Sequence, residues 1–306
     1  MNFLENLRKV PVNAEKALSL CERERGFDSV VITGMGGSGI TGSIVSEQLF
    51  ERSKVPVITN RGPRLPRSCG EKSLHVVISY SGNTEETVNA FEEGLRRGCR
   101  TVCITSGGKL AGSEREKARI IKIPKGYLPR EALFLMLIPA LGLFLDLPQE
   151  IPGWLEEMRE SIETDNSPSV KLAENIGKKI PMIYGSYPFA SLALRFKQQV
   201  NENCKAKAFF NEFPELNHNE IESFHGNFDD FVVVSVGEGH ERSLGIVSKT
   251  CGILNMELYG KKKMERLFKS LYFIDFTTHY MAKLRGVDPA AMPNIEELKS
   301  SGHQTS

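Results

Sequence analysis

The feature that most constrains the fold is a series of short apolar segments, each leading into a turn and then a segment of helix length. These apolar segments are rich in β-branched residues and are continuous rather than alternating, which is typical of parallel strands covered on both faces. Helix-length connections between such strands predict a doubly wound α/β layer. In the first half of the chain, strands are predicted at residues 29–33, 55–59, 74–79, 101–105 and 120–124, and helices at 38–52 and 84–97.

The second half repeats this pattern after a segment rich in proline and glycine at residues 147–153. Together with a length of 306 residues, the repeat predicts two α/β domains of one type with parallel sheets, at residues 1–150 and 154–306. The expected elements of the second domain are a helix at 154–178, a strand leading into a turn at 179–188, strands at 230–236 and 256–259, and helices at 241–253 and 262–285.

Charge and hydropathy exclude two kinds of partner. Lys and Arg number 39 against 38 Asp and Glu, so a net charge of +1 gives no field that would drive the chain onto nucleic acid or an anionic membrane. The longest uncharged apolar run, residues 132–145, is shorter than the roughly 20 residues that span a bilayer, and it predicts a buried helix. We therefore expect neither a nucleic-acid partner nor a membrane partner.

Cysteine and histidine usage bears on compartment and metal. The first residues lack the apolar segment of a signal peptide, and the six cysteines include no CxxC pair. Reduced thiols and a cytoplasmic location are therefore expected. The six histidines include no HExxH or HxH cluster, so we expect no metal ligands and no cofactor.

The first candidate binding motif is GMGGSG at residues 34–39, between a predicted strand and a predicted helix. Glycines let the backbone approach a ligand, and a helix N-terminus offers unpaired N–H groups, so Gly36, Gly37 and Ser38 are candidate anion-binding residues. A dinucleotide site is disfavoured because the next strand ends in Thr-Asn-Arg at 59–61 rather than in an acidic residue. A P-loop is excluded by the lack of GK[ST], and a turn that binds nothing remains the alternative.

The second candidate motif is SYSGNTEET at residues 79–87, which also follows a strand and precedes a helix. Ser79, Ser81 and Thr84 offer three hydroxyl groups without a nearby Lys or Arg, which suits a phosphate monoester on a small molecule. The alternative is that Thr84 caps the helix. Two such turns on one parallel sheet would lie at the carboxyl ends of the strands, where ligands of these sheets bind.

These motifs together resemble the sugar isomerase (SIS) domain, and the second half is more specific. Residues 201–220 (NENCKAKAFFNEFPELNHNE) resemble the bifunctional phosphoglucose/phosphomannose isomerase family, and YLPREA at 127–132 and LRGVDP with IEELK within 284–299 fit as well. The resemblance covers nearly the whole chain. It implies two SIS-type doubly wound domains, with phosphate binding in the first and the catalytic glutamate and histidine in the second.

The resemblance implies a metal-independent aldose–ketose isomerase that interconverts fructose 6-phosphate with glucose 6-phosphate and mannose 6-phosphate. Moving a proton between C1 and C2 through an enediol requires a base, a group that opens the sugar ring and a cation near the enediolate. The resemblance assigns the base to Glu202 and ring opening to His218, helped by Lys299, and it places Arg130 beside the enediolate. The simpler alternatives are solvated side chains for Glu202 and Lys299, a capping or core residue for His218, and a surface salt bridge for Arg130.

Two further points concern specificity and assembly. The family typically has a threonine just after the VDP motif, where this chain has Ala290 and then Ala291. Alanine lacks the hydroxyl that is thought to position the sugar, so the mannose activity stays open. The resemblance also implies a homodimer in which His218 enters the site of the neighbouring subunit, the alternative being that it serves Glu202 of its own chain.

Two other functions remain open from the sequence. One is a non-catalytic SIS module that senses a sugar phosphate, although residues 1–28 are too few for a three-helix DNA reader before the first predicted strand. The other is an isomerase of a different phosphosugar. A sensor would not need Glu202, Arg130 and His218 together.

Overall fold

The computed structural model describes residues 2–113 and 118–301. The chain divides into two compact units. The N-terminal unit comprises Arg8–Glu157 and Tyr187–Ser191, and the C-terminal unit comprises Met1–Leu7, Met158–Ser186 and Leu192–Ser306. The assignment of phosphate binding to residues 1–150 and of catalysis to residues 154–306 stays a prediction.

Strands and helices are numbered here in chain order. The strands are β1 (Ser29–Thr33), β2 (Val57–Asn60), β3 (Ser73–Ile78), β4 (Arg100–Thr105), β5 (Ala118–Lys122), β6 (Ile180–Ser186), β7 (Phe209–Phe213), β8 (Phe231–Val236) and β9 (Gly252–Met256). The helices are α1 (Phe3–Arg8), α2 (Val10–Leu18), α3 (Gly36–Leu49), α4 (Glu85–Arg96), α5 (Gly108–Ala111), α6 (Leu133–Gly142), α7 (Ile151–Ile162), α8 (Pro168–Ile176), α9 (Ala190–Cys204), α10 (Glu241–Val247), α11 (Lys263–Leu284) and α12 (Pro293–Ser301). Two short 3₁₀ helices occupy Glu215–His218 and Glu220–Ser223.

The N-terminal unit is built on a parallel sheet with strand order β2-β1-β3-β4-β5. The direction of winding reverses between β1 and β3, because the chain goes outward from β1 to β2 and then returns to the other side. All ten residues of α6 are buried, which confirms the helix expected from the apolar run. Strand β2 begins at Val57 rather than at residue 55, since Pro56 has no N–H to donate to a ladder.

The C-terminal unit has a second parallel sheet, with strand order β7-β6-β8-β9 and a reversal between β6 and β8. The predicted α/β class with parallel sheets is thereby confirmed. Two edge strands were harder to predict. Strand β7 reads FFNEF, whose polar residues resemble a loop, and β9 lies at 252–256, so the strand predicted at 256–259 is wrong. The preceding helix α10 ends at Val247 instead of running to 253, which leaves residues 252–256 free to pair with β8.

The helix predicted at 154–178 is in fact two helices, α7 and α8. The break falls at Ser167, whose side chain accepts a hydrogen bond from the Val170 amide at 3.3 Å and so caps α8. Pro168 follows at the first helical position, where its missing N–H costs nothing. No helix among residues 2–113 and 118–301 is both long and apolar enough to cross a membrane.

Candidate active site

The two glycine- and serine-rich turns of the N-terminal unit lie side by side. Each follows one of the two central strands, β1 and β3, which are paired in parallel register. The Tyr80 amide donates a hydrogen bond to the Ser38 hydroxyl at 3.3 Å, which joins the second turn to the first. The turns therefore meet at the carboxyl ends of the strands where the winding reverses, the place where ligands of open α/β sheets bind.

The first turn is packed closely against the segment that carries Arg130. A Cβ atom at Gly37 would lie 2.9 Å from the carbonyl oxygen of Pro129 and 3.2 Å from the Arg130 amide, so no larger residue fits there without movement. Arg130 itself is 1% exposed. Helix α3, which starts in this turn, has no acidic residue in its first turn. The dipole of α3 therefore favours an anion here, while the Ser38 amide already donates to the Met35 carbonyl oxygen at 3.0 Å.

The second turn places its hydroxyl groups in different surroundings. Ser79 is buried and accepts a hydrogen bond from the Gly82 amide at 3.2 Å, whereas Ser81 is exposed and accepts one from the Asn83 amide at 3.3 Å. Thr84 stands at the N-cap of α4, but its side chain makes no capping hydrogen bond among the described residues. Ser81 and Thr84 are therefore the hydroxyl groups most open to a ligand.

Gly82 makes this turn possible. Its φ is +67°, and a Cβ atom there would lie 1.8 Å from the carbonyl oxygen of Gly107. Only glycine satisfies both the left-handed backbone and the close approach of the loop after β4. The glycine of the SYSGNTEET motif is thus required by the backbone of the turn, whether or not a ligand binds there.

In the C-terminal unit, Glu202 lies near the end of α9, half-buried, beside a cavity of about 450 Å³. Several polar and cationic groups share this cavity with it. The residues that line it are Asn201, Glu202, Lys205, Ala206, Lys207, Ala291, Met292, Pro293, Asn294 and Ile295. The loop after the VDP motif therefore borders Glu202, and of its two alanines the one that lines the cavity is Ala291. Ala290 is half-buried and donates its amide to the Asp288 carboxylate at 2.8 Å.

The residues around Glu202 fix the end of its helix. Asn201 donates to the Ala206 carbonyl oxygen at 2.8 Å, and the buried Asn203 donates to the Thr278 hydroxyl of α11 at 3.0 Å. The Cys204 thiol hydrogen-bonds the Thr278 carbonyl oxygen at 3.3 Å, and burial raises its pKa to about 12, so it stays protonated. Both asparagines that flank Glu202 in the NEN motif thus make hydrogen bonds that hold the end of its helix, and Asn201 also lines the cavity.

Lys205 is a feature that sequence reasoning missed. It has a φ of +52°, which is uncommon for a residue other than glycine. Its ammonium group donates to the Glu202 carbonyl oxygen at 2.5 Å and lies 3.5 Å from the carbonyl oxygen of Pro289. It thereby links the end of α9 to the loop at 286–292.

A buried ion pair holds α9 against α11 one to two turns before Glu202. Arg195 and Asp275, each 1% exposed, approach to 2.9 Å, and Gln199 donates to the same Asp275 oxygen at 2.6 Å. Such a pair fixes geometry well because both charges would be costly if they separated. No sequence motif pointed to it, since its partners are 80 residues apart.

His218 is exposed at the end of the first 3₁₀ helix and is not among the described residues that line the Glu202 cavity. Lys299 lies in α12, but its side chain falls outside the described part of the structure. The structure thus brings Ser38, Ser79 and the Arg130 segment together in one unit. The roles assigned to all these residues stay predictions.

Within residues 2–113 and 118–301, no group of three or more His, Cys, Asp or Glu side chains could hold a metal ion. The six cysteines are unpaired. Neither finding identifies a cofactor, and independence from metal stays a prediction.

The fold and these turns define a class, the proteins with two SIS domains. A family model described as "SIS domain" matches residues 26–128, and one described as "Bacterial phospho-glucose isomerase C-terminal SIS domain" matches residues 165–301. Among solved structures, a hypothetical protein from Thermus thermophilus superposes with a TM-score of 0.75 at 17% identity, covering 98% of this chain and 87% of that one. At this identity the likeness supports the fold alone.

Sequence relatives are more specific. A bifunctional phosphoglucose/phosphomannose isomerase from Thermoplasma acidophilum is 35% identical over 282 residues, 89% of each chain. Another from Caldicellulosiruptor bescii is 33% identical over 336 residues, 97% of this chain and 98% of the relative. The chain belongs to the bifunctional phosphoglucose/phosphomannose isomerase family, which confirms the resemblance and, at the level of the family, the prediction of an isomerase.

One relative carries a different activity. A D-glucosamine-6-phosphate 4-epimerase from Sulfolobus acidocaldarius is 32% identical over 209 residues, 64% of each chain. Epimerisation at C4 and isomerisation between C1 and C2 act on different carbons of a hexose 6-phosphate. The substrate therefore has to be tested directly.

Proposed function

We propose that this protein interconverts fructose 6-phosphate with glucose 6-phosphate and mannose 6-phosphate through an enediol. The observation that carries the proposal is the position of Glu202, a half-buried carboxylate beside a cavity of about 450 Å³. A carboxylate that lines such a cavity can act as a base on a bound sugar, whereas a protein that only senses a sugar phosphate has no need of a base. Family membership supports the same conclusion.

The proposed roles follow from the chemistry of each group. The amides at the start of α3 and the hydroxyls of Ser81 and Thr84 bind the phosphate dianion, without a lysine or arginine in either turn. Glu202 removes the proton from C2 of the aldose and returns it to C1, and the reverse in the other direction. Arg130 stabilises the negative charge that develops on the enediolate oxygens.

Ring opening precedes this proton transfer, because all three sugar phosphates exist mainly as closed rings. We assign it to His218, because an imidazole ring offers both a proton-donating and a proton-accepting nitrogen, with help from Lys299. The histidine donates a proton to the ring oxygen as its bond to the anomeric carbon breaks, and the anomeric hydroxyl gives up its own proton to water, which leaves the open-chain carbonyl. We place the reaction in glycolysis and gluconeogenesis, where hexose 6-phosphates are interconverted.

A panel of sugar phosphates, followed by NMR, tests the proposal. Fructose 6-phosphate, glucose 6-phosphate and mannose 6-phosphate are each incubated with the protein, and glucosamine 6-phosphate serves as the probe for chemistry at C4. The proposal predicts exchange among the first three and none with the amino sugar. Conversion of glucosamine 6-phosphate to its C4 epimer, with the first three unchanged, would instead support the activity of the Sulfolobus acidocaldarius relative.

We further propose a homodimer in which His218 completes the site of the neighbouring subunit. Its exposure, and its absence from the described lining of the Glu202 cavity, support this arrangement. Glu202→Gln and His218→Ala are each expected to be nearly inactive as pure dimers. In a heterodimer of the two, one site carries both defects and the other carries none, so activity returns; no recovery from heterodimers of verified composition would contradict sharing.

We propose that catalysis needs no metal ion. Exhaustive chelation is expected to leave kcat unchanged, because Arg130 and helix-start amides would carry the stabilisation of negative charge. Loss of activity that is restored by adding zinc would refute this. The cytoplasmic location is likewise proposed, on the basis of six unpaired cysteines, and subcellular fractionation checks it.

A further inference from the structure

A three-residue polar network in the C-terminal unit ends at the segment that carries His218. Tyr184 of β6 donates its hydroxyl to one carboxylate oxygen of Glu220 at 2.6 Å, and the Asn211 side-chain amide of β7 donates to the other oxygen. Tyr184 and Asn211 are direct neighbours in the parallel register of β6 and β7. Two adjacent strands thus hold one carboxylate from the same face of the sheet.

Each partner is itself fixed. Tyr184 is fully buried, and its ring makes edge contacts with Phe213 and Phe224 at centroid distances of 6.0 and 6.5 Å. Burial first, and then the hydrogen bond to Glu220, raise the pKa of Tyr184, so its hydroxyl keeps the proton it donates. The Asn211 oxygen accepts the Glu212 amide at 2.8 Å, which sets the direction of its amide group toward the carboxylate.

Glu220 opens the second 3₁₀ helix, two residues after His218. The intervening Asn219 accepts the Glu220 amide at 2.6 Å and donates to Glu215 at 2.9 Å, so the two short helices are tied together by their own side chains. His218 is exposed where two 3₁₀ helices meet, and each of these helices has only four residues. The carboxylate of Glu220 is therefore an attachment of that segment to the rigid sheet.

We propose that Tyr184, Asn211 and Glu220 are positioning residues that set the location of the His218 imidazole for ring opening. The inference rests on the proposed function, in which His218 opens the ring and Glu202 transfers the proton. Displacement of a catalytic group by about 1 Å can cost about 100-fold in rate. The network thus acts on the ring-opening step and leaves the proton transfer by Glu202 intact.

A pair of substrates separates these two steps. Fructose 6-phosphate must open its ring before isomerisation, whereas 5-deoxyfructose 6-phosphate lacks the hydroxyl that closes the ring and needs no opening. Turnover of the first is measured as kcat and KM, and deuterium exchange at C1 of the second is followed by NMR. Wild type must turn over fructose 6-phosphate, and Glu202→Gln must lose both activities; if wild type does neither, the proposed function itself fails.

The test variants are Tyr184→Phe and Glu220→Gln. We expect each to lower kcat for fructose 6-phosphate about 10-fold or more, with KM and exchange of the acyclic analogue within about twofold of wild type. In Glu220→Gln, the new NH₂ group faces the NH₂ group of Asn211, so two donors oppose each other. Adding Asn211→Asp replaces the second donor by a carboxylate oxygen, which accepts from the glutamine. The double variant is therefore expected to recover most of kcat.

Tyr272→Phe is the matched control, because Tyr272 is also fully buried in the C-terminal unit and donates its hydroxyl to the Leu7 carbonyl oxygen at 2.7 Å. It is expected to lower the melting temperature without changing the ratio of the two activities. If the network variants lose both activities in parallel, or keep kcat at the wild-type level, the inference is overturned. Should Glu220→Gln fail to fold, Tyr184→Phe, which keeps the packed ring, decides the question by itself.

Discussion

The two sheets reverse their winding in the same way, yet the turn after β1 in the first sheet and the turn after β8 in the second differ in charge. In the N-terminal unit, the turn after β1 carries glycine and hydroxyl side chains and leads into α3, which starts without an acidic residue, whereas the turn after β3 leads into α4, whose first turn holds Glu85 and Glu86. In the C-terminal unit, the turn after β8 reads GEGHE at residues 237–241. There the Gly239 amide donates to the Glu241 carboxylate at 3.2 Å.

The difference shows that the same sheet topology can either leave the turn at its reversal open to an anion or fill that turn with a carboxylate of the chain. The amides of Glu241 and Gly239 donate hydrogen bonds to the Glu241 carboxylate and lower its pKa. The carboxylate thus occupies amides that would otherwise be free to bind an anionic ligand. A phosphate dianion is therefore less favoured at this turn than at the turn after β1. The C-terminal unit carries its candidate catalytic groups outside this turn: Glu202 lies near the end of α9, and His218 follows β7, whose last residue Phe213 stacks on His240 of the turn with ring centroids 4.0 Å apart.

The largest effect is expected at Glu202. Glu202→Gln keeps the size of the side chain but cannot accept a proton, so kcat is expected to fall about 1,000-fold with KM nearly unchanged. Steady-state kinetics with fructose 6-phosphate measures this. Glu174→Gln, at an exposed position of α8, is the control and is expected to behave as wild type. A Glu202→Gln variant with a kcat within tenfold of wild type would place the base elsewhere.

A large effect on binding is expected in the N-terminal unit. Ser81→Asp puts a negative charge at the exposed hydroxyl of the second turn, and repulsion of the phosphate dianion is expected to raise KM about 10- to 100-fold. Ser81→Asn has the same size without the charge and is the matched control. Equal KM values for the two variants would remove this turn from the phosphate site.

A several-fold effect is expected from the loop beside the Glu202 cavity. Ala291→Thr adds a hydroxyl to a residue that lines the cavity, and one hydrogen bond is worth about 1 kcal/mol, so the ratio of glucose to mannose turnover is expected to change several-fold. Ala290→Thr tests the other position after the VDP motif. If neither variant alters the ratio, this loop does not contact the sugar.

The smallest effect concerns stability alone. Because the pKa of Glu241 is lowered in the folded state, its carboxylate stabilises the protein above the usual value of 4.5, and this stabilisation is lost as the pH falls through the folded pKa. Glu241→Gln is therefore expected to lower the melting temperature slightly at pH 7, and the difference from wild type is expected to vanish in acid. KM is expected to stay unchanged. A difference in melting temperature that grows in acid would contradict this role of Glu241.

Much of the fold and of the candidate site was accessible from the sequence where local chemistry determines structure. The continuous β-branched segments predicted the central strands, and the GMGGSG and SYSGNTEET motifs predicted the two turns that meet at the reversal. Strands β7 and β9 were missed or misplaced because edge strands bury few side chains and therefore show a weak apolar pattern.

Other features depend on contacts between distant segments. The Arg195–Asp275 pair and the Tyr184–Glu220 hydrogen bond join residues 80 and 36 positions apart. The left-handed backbone of Lys205 has no sequence signal, because lysine rarely adopts it. For Glu220 the sequence did contain an indication, because this residue belongs to the same ELNHNE motif as His218.

The central claim is that the protein moves a proton between C1 and C2, and the position of solvent deuterium tests it most directly. Wild-type protein is incubated with fructose 6-phosphate in D₂O, and the products are assigned by NMR. Because Glu202 is half-buried beside a cavity, its proton can exchange with solvent, so the account predicts deuterium at C2 of glucose 6-phosphate and at C1 of fructose 6-phosphate. Deuterium at neither carbon, with no aldose formed, would contradict the account.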